Sequence, residues 1–191
     1  MGLNIQASPT FTIKHLYMIQ ARRVTLIPFN GAHYNAIFTG NNIQLGTLLN
    51  IKTPDNWTEF PAAIEALQTL HEIFISLEND TRWGSYFIIS ENDRALVGTC
   101  GFKGKPGIEN CVEIGYEIQS AYQNNGFATE VAKALVDFAI LHEVKCVKAH
   151  TLPLGNASVA VLKKCGFHFN GEVNDPEDGL IWLWVLLTNE D

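Results

Sequence analysis

Residues 112–131, VEIGYEIQSAYQNNGFATEV, place two carboxylates just ahead of a run of small and polar residues. Val112, Ile114, Tyr116 and Ile118 alternate with Glu113, Gly115, Glu117 and Gln119, the period of a strand with one packed and one polar face. Both glutamates therefore share the polar face, where a carboxylate can accept a proton from an amine or attract its cation. Ser120, Asn124, Asn125 and Gly126 then break the strand, and from Ala128 the apolar spacing turns helical through Val131, Leu135, Phe138 and Leu141. A turn that opens onto a helix N-terminus leaves free N–H groups at the positive end of the helix dipole, and these can hold a phosphate without a cationic side chain. Gly126 lets the main chain approach such a ligand, and Ala128 and Thr129 keep the approach open. Taken alone, the same residues also describe an ordinary strand-to-helix connection.

Gln123-Asn124-Asn125-Gly126-Phe127-Ala128 resembles the Q/R-x-x-G-x-G/A pyrophosphate loop of the GNAT acyltransferase superfamily, preceded here by Glu113-Ile114-Gly115-Tyr116 and followed by Thr129-Glu130. Downstream, Ala157-Ser158 and Val161-Leu162-Lys163-Lys164-Cys165-Gly166-Phe167 resemble the A-S-x-x-V-L-x-K-x-G-F helix and turn of the ribosomal-protein-alanine (RimJ/RimL-type) N-acetyltransferases. The resemblance covers roughly residues 24–185. It implies an α/β (α+β) fold, a mixed and mostly antiparallel central sheet splayed between its fourth and fifth strands and flanked by helices. It also implies acetyl-CoA as co-substrate, no metal, and acetyl transfer to a primary amine of a peptide N-terminus or a small molecule by direct attack in a ternary complex.

The same resemblance assigns residues. The backbone of Ile118 and Gln119 would meet the donor's pantetheine arm in the splay, Gln123, Asn124, Asn125, Gly126, Phe127, Ala128 and Thr129 would take the pyrophosphate, and Asn156 would hydrogen-bond the arm. Glu113 matches the glutamate of RimL-type enzymes that serves as general base, with Glu117, two residues nearer the turn, as the other candidate. Ser158 matches their serine near the thioester sulfur, a candidate general acid; a serine near a helix start is equally a cap. Leu162 fills the place where many GNAT enzymes carry a tyrosine. Asn124 stands where the loop often has its first glycine, and asparagine tolerates the left-handed backbone better than most residues. Glu113 and Ser158 favour an enzyme, whereas Asn124 favours a noncatalytic acyl-CoA-binding sensor or scaffold.

The elements that must position these residues fit one domain over 21–191, behind a leader at 1–20 that matches no motif. With 191 residues, 47% of them hydrophobic and 17% charged, the chain can bury a sizeable core. A formal net charge of −7 argues against nucleic acid or an anionic membrane as partner and suits a cationic amine. Cys100, Cys111, Cys146 and Cys165 have neither C-x-x-C spacing nor adjacent histidines, which reads as small buried hydrophobes in a reducing compartment. Lys14, His15, Arg22 and Arg23 interrupt any signal-peptide run, and Gln6 breaks a myristoylation pattern, so the cytoplasm is the expected location. The glycosylation triplets at Asn56, Asn79 and Asn156 then carry no weight.

A first strand is expected at 24–29, a helix from Gly31 to about Thr39, a short helix around 45–49, and a loop in which Trp57 and Phe60 are either walls of the acceptor site or local packing. Pro61 opens a second long helix with the stripe Ile64, Leu67, Leu70 or His71, Phe74 and Leu77. Strands at 85–90, 95–102 and 111–119 form a meander, followed by a helix to about His142 and a strand at 145–152 parallel to the central one. A helix at 156–164 and paired strands at 167–173 and 180–187 follow. The apolar run Ile181-Trp182-Leu183-Trp184-Val185 reads either as an interior strand or as the edge of a homodimer.

Overall fold

The computed structural model describes residues 17–77, 80–176 and 178–188; most of the expected leader, residues 1–16, and the triplet asparagine Asn79 lie outside the described residues. The chain opens with β1 (Ile19–Gln20) and β2 (Val24–Pro28), then α1 (Gly31–Phe38), α2 (Asn42–Leu49), α3 (Pro61–Glu65) and α4 (Leu67–Ser76). The meander β3 (Ser85–Ser90), β4 (Ala95–Phe102) and β5 (Cys111–Ile118) leads to α5 (Phe127–Leu141) and β6 (Cys146–Thr151). After α6 (Ala157–Lys164) come β7 (His168–Asp175) and β8 (Gly179–Leu187).

The described residues form one eight-stranded sheet in the order β1-β2-β3-β4-β5-β6-β8-β7. Neighbours are antiparallel except β5 and β6, which α5 joins by a crossover and which run parallel. Val131, Leu135, Leu162 and Trp184 belong to the core under α5 and α6. Phe29, Tyr34, Leu45 and Trp57 belong to the core on the other face, under α1, α2 and α4. The helix-flanked mixed sheet is the one expected, with β1 added at its edge.

Local chemistry sets the helix starts. Asn30 accepts the His33 N–H and Asn41 the Gln44 N–H, each relieving an orphan donor in a first turn. The long helix expected from Pro61 is instead two. It breaks at Ala66, so that Leu67 is buried at 9% exposure while Ile64, assigned to the same stripe, stands out at 52%. A single straight helix would have presented both on one side; the break lets Leu67, Leu70 and Phe74 close over Trp57.

One further expectation is corrected, and one open alternative is decided. Cys111 and Cys146 are not independent buried thiols: parallel pairing sets them opposite one another at the start of β5 and β6, where they form a disulfide. Cys100 and Cys165 are free, and burial pushes both thiols up from their ordinary value. The terminal apolar strand is interior, because β8 pairs with β6 on one side and β7 on the other; the edge is β7. Among the described residues no helix is long and apolar enough to cross a membrane.

Candidate active site

The site begins where β5 and β6 part. Their pairing runs through Cys111 opposite Cys146, Val112 opposite Val147 and Glu113 opposite Lys148, and stops there, although β5 continues to Ile118 and β6 to Thr151. On the β4 side, Lys103 N–H donates to the Glu113 carbonyl and Gln119 N–H to the Val97 carbonyl, so the odd-numbered residues of β5 bond to β4. Alternation then turns the main-chain groups of Ile114, Tyr116 and Ile118 toward the gap. The Tyr116 hydroxyl reaches across it to the Ser158 carbonyl on α6, 3.4 Å away.

This parity revises the backbone expected to meet a donor. Gln119 has no spare groups, since its N–H goes to Val97 and its carbonyl accepts from Tyr122. The Ile118 carbonyl is taken by the Gln123 side chain at 2.8 Å, leaving its N–H. Tyr116, assigned by its period to the packed face, contributes main chain to the gap.

At the turn, the side-chain amides consume carbonyls and spare the N–H groups. Gln123 donates to Ile118, and Asn125 Nδ2 donates to the carbonyls of Tyr122 and Gln123. Among the described residues no acceptor meets the N–H of Asn124, Asn125, Gly126, Phe127, Ala128 or Thr129; the first α5 bond is Glu130 N–H to the Gly126 carbonyl. Asn124 at φ +60° and Gly126 at φ +80° are both left-handed, which asparagine and glycine adopt at least cost. Asn124 therefore fits the conformation its place requires, which removes the feature that favoured a noncatalytic module.

Arg23 belongs to no motif, yet it braces this turn from β2. Its Nε lies 2.7 Å from Glu130 Oε2, its main-chain N–H donates to Glu130 Oε1 at 2.5 Å, and Nη1 donates to the Asn125 carbonyl at 3.0 Å. Its guanidinium lies 4.5 Å from the centre of the Phe127 ring. Holding the Asn125 carbonyl turns the Gly126 N–H of the same planar peptide the opposite way. Glu130 was the available signal: an acid in the first turn beside a phosphate-type loop needs a nearby cation.

The two glutamates have different surroundings. Glu113 meets Lys103 Nζ at 2.6 Å and His150 Nδ1 at 2.9 Å. Burial opposes its charge, but the hydrogen bonds and charges of Lys103 and His150 outweigh that and hold the carboxyl below its usual range. Glu117 meets no cation among the described residues. Burial pushes its carboxyl up, with the Glu59 charge adding to the rise, against hydrogen bonds from Thr58 at 2.7 Å and Thr99 at 2.9 Å.

Glu117 also lines a cleft of about 240 Å³ with Phe29, Trp57, Leu70, Thr99 and Gly115. Trp57 is thus a wall as well as a core residue, while Phe60 is not among the lining residues. A larger hollow of about 810 Å³ lies between β1–β2 and α1–α2, away from the gap and from both glutamates. Across the gap, Asn156 caps α6 by accepting the Val159 N–H, so Ser158 is one turn-residue inside the helix and is not its cap.

Known proteins share this architecture. A putative ribosomal-protein-serine acetyltransferase from Vibrio cholerae superposes with a TM-score of 0.64 at 17% identity, covering 92% of this chain and 99% of that one. The RimL ribosomal L7/L12 alpha-N-protein acetyltransferase in complex with coenzyme A gives 0.64 at 15% identity, covering 89% and 97%. In sequence, the uncharacterized N-acetyltransferase YjdG of Bacillus subtilis is 27% identical over 122 residues, 63% of this chain and 71% of its own length. The family model described as "Acetyltransferase (GNAT) domain" matches residues 23–168, more than half of the chain, and the chain therefore belongs to the GNAT family as an N-acetyltransferase.

Proposed function

We propose that this chain transfers the acetyl group of acetyl-CoA to a primary amine by direct attack in a ternary complex. The observation that carries the reading is the coincidence of an unzipped β5–β6 pair with a turn in which the Tyr122, Gln123 and Asn125 carbonyls accept hydrogen bonds while, among the described residues, the N–H groups from Asn124 to Thr129 meet no acceptor. Main-chain N–H groups from Asn124 to Thr129 would hold the diphosphate, aided by the α5 dipole. The gap would admit the pantetheine arm against the main chain of Tyr116 and Ile118, with the Asn156 amide beside it.

The acceptor amine would enter from the cleft that Glu117 lines. Amines are mostly protonated at neutral pH, so a base is needed, and Glu117 suits the role better than Glu113. Glu113 is already paired to Lys103 and His150, whereas Glu117 is held only by two hydroxyls and has a carboxyl raised toward neutrality. The amine nitrogen attacks the thioester carbonyl, its proton passes to Glu117, and as the C–S bond breaks the departing thiolate is protonated through the Ser158 hydroxyl, which regains its proton from solvent water. The cytoplasm, which we take as the compartment, would keep Cys111 and Cys146 reduced, so that their bond forms on oxidation.

Thermal melting tests the donor half. Saturating acetyl-CoA should raise Tm, and adenosine should do so far less because the diphosphate carries the affinity. No shift with acetyl-CoA would end the proposal. Thiol release across a panel of amines then tests transfer itself.

A further inference from the structure

The acceptor cleft is made by an absence of side chains. Gly101 of β4 and Gly115 of β5 are directly paired, on the sheet face that also carries Glu117. A Cβ built on Gly115 would meet nothing within 4 Å, and its backbone is not left-handed, so the space above it is open and a side chain there is unstrained. Gly101 is different, since a Cβ there would meet the Gly84 carbonyl at 2.3 Å. Only Gly115, of the two, is a vacancy that the backbone does not demand.

The walls of that vacancy are apolar. Phe29, Trp57 and Leu70 line it from the α1–α4 side, with Thr99 and Ser85 completing the lining from β4 and β3. Its volume, about 240 Å³, exceeds the ~150 Å³ of a cavity known to take benzene and falls below the ~300 Å³ at which pockets for drug-sized ligands begin. One ring or one branched aliphatic group fits. A long chain does not.

Charge narrows the choice further. Glu117 stands at one end, fixed by Thr58 and Thr99, and is the cleft's unpaired carboxylate among the described residues. Lys103 at the other end is neutralised by Glu113, and the nearby Glu59 carboxylate accepts the Ser120 N–H. A second ammonium group on the Lys103 side would meet that cation, whose carboxylate partner Glu113 is already shared with His150.

We propose that the acceptor is a singly charged primary amine bearing one compact apolar group, isobutyl- or benzyl-sized, seated over Gly115, and that Gly115 sets the size limit. This rests on the acetyl-transfer reading above. The group could belong to a free amine or to the first residue of a peptide, since the chemistry is shared.

The experiment compares kcat/KM for leucinamide, phenethylamine, glycinamide, spermidine and a peptide beginning with leucine, in the wild type and in Gly115→Val and Gly115→Ala. Leucinamide and phenethylamine should exceed glycinamide and spermidine at least tenfold. Gly115→Val should lower leucinamide and phenethylamine tenfold or more while leaving glycinamide within about threefold and the acetyl-CoA melting shift unchanged, with Gly115→Ala intermediate. The leucine peptide matching leucinamide would place the source in a polypeptide, and a peptide turned over at a tenth of that rate or less would place it in a small molecule; both support the proposal. Preference for glycinamide or spermidine, or equal losses on all amines in both variants, would overturn it while the donor reading stood. Absence of any acetyl-CoA shift in the wild type would overturn both.

Discussion

The two ends of β5, Cys111–Val112–Glu113 and Glu117–Ile118, are built on opposite terms. At its start, every polar group is spoken for: Cys111 is bonded to Cys146, Glu113 is shared between Lys103 and His150, and β6 is paired alongside. At its end, β6 has left, and among the described residues Glu117 meets no cation and the main-chain N–H groups of Asn124 to Thr129 meet no acceptor. An unpaired polar group is cheap to keep where water reaches it, as at the exposed Asn124, Asn125 and Gly126, and such a group stays available to a ligand. On the proposed reading the closed end is scaffold and the open end is site. A carboxylate's surroundings, more than its place in a motif, decide which of the two it serves.

The largest expected effect lies at the open end. Glu117→Gln should lower kcat by about 10²–10⁴-fold, the usual contribution of a positioned base, with the acetyl-CoA melting shift retained. The pH profile carries a sign that separates the two acids. A base whose carboxyl is raised gains its active form only as pH climbs past the ordinary glutamate value of about 4.3, so kcat/KM should show an acid limb displaced above that value and absent in Glu117→Gln. A limb displaced below it would identify Glu113 instead.

At the closed end the counterpart is mechanical. Replacing Cys111 and Cys146 by serine, or reducing their bond, should lower the unfolding free energy by about 2–4 kcal/mol, the chain-entropy value for a loop of this length, as read by denaturant titration. Turnover measured below the melting range should change little, because the cross-link sits where the strands are already paired. If the bond were part of the open end, donor affinity would fall with it.

How far this contrast could be read beforehand depended on range. Strands β3 and β4 start and stop where their apolar runs meet the polar turn at 91–94, a local signal that the sequence carries in full. The turn into α1 at Asn30 and the left-handed Asn124 and Gly126 are local as well, whereas the cap of α6 fell to Asn156 and not to Ser158. What escaped was set by register and by distant partners. Which β5 residues bond to β4 decides that Gln119 is occupied and Tyr116 is not, and that parity follows from a pairing with residues 97–103. The Cys111–Cys146 bond and the Lys103–Glu113–His150 group depend on the β5–β6 register in the same way. Arg23 lies 107 residues from Glu130, beyond any spacing rule.

Arg23 offers the next test of the open end. Arg23→Gln leaves Glu130 as an unneutralised acid beside the diphosphate site and frees the Asn125 carbonyl, so acetyl-CoA should bind about tenfold more weakly, about 1.4 kcal/mol. Acetyl-pantetheine, which has no diphosphate, should be affected much less in KM. Adding Glu130→Gln should recover part of the loss by removing the stray charge. Calorimetry on the two single variants and the double variant gives the coupling directly, and equal losses for both ligands would mean that Arg23 supports the fold and not the turn.

The smallest effect belongs to the residue that the motif favoured. If Glu113 is scaffold, Glu113→Gln should change kcat by less than about threefold and cost about 0.2–1 kcal/mol of stability, since Lys103 is 63% exposed and its attraction is screened. The pH dependence has a definite sign. The Glu113 carboxyl is lowered in the folded chain, so its contribution is present above the ordinary value of about 4.3 and is lost as pH falls through the folded value. Tm of the wild type should therefore decline more steeply than that of Glu113→Gln on acidification below about pH 4, and the two should run parallel near neutrality. The same substitution in 1 M salt should cost less, because the exposed Lys103 is the partner most easily screened. A hundredfold fall in kcat with an unchanged melting curve would reverse the assignment of the two carboxylates and put the base at the closed end of the strand, under Lys103 and His150.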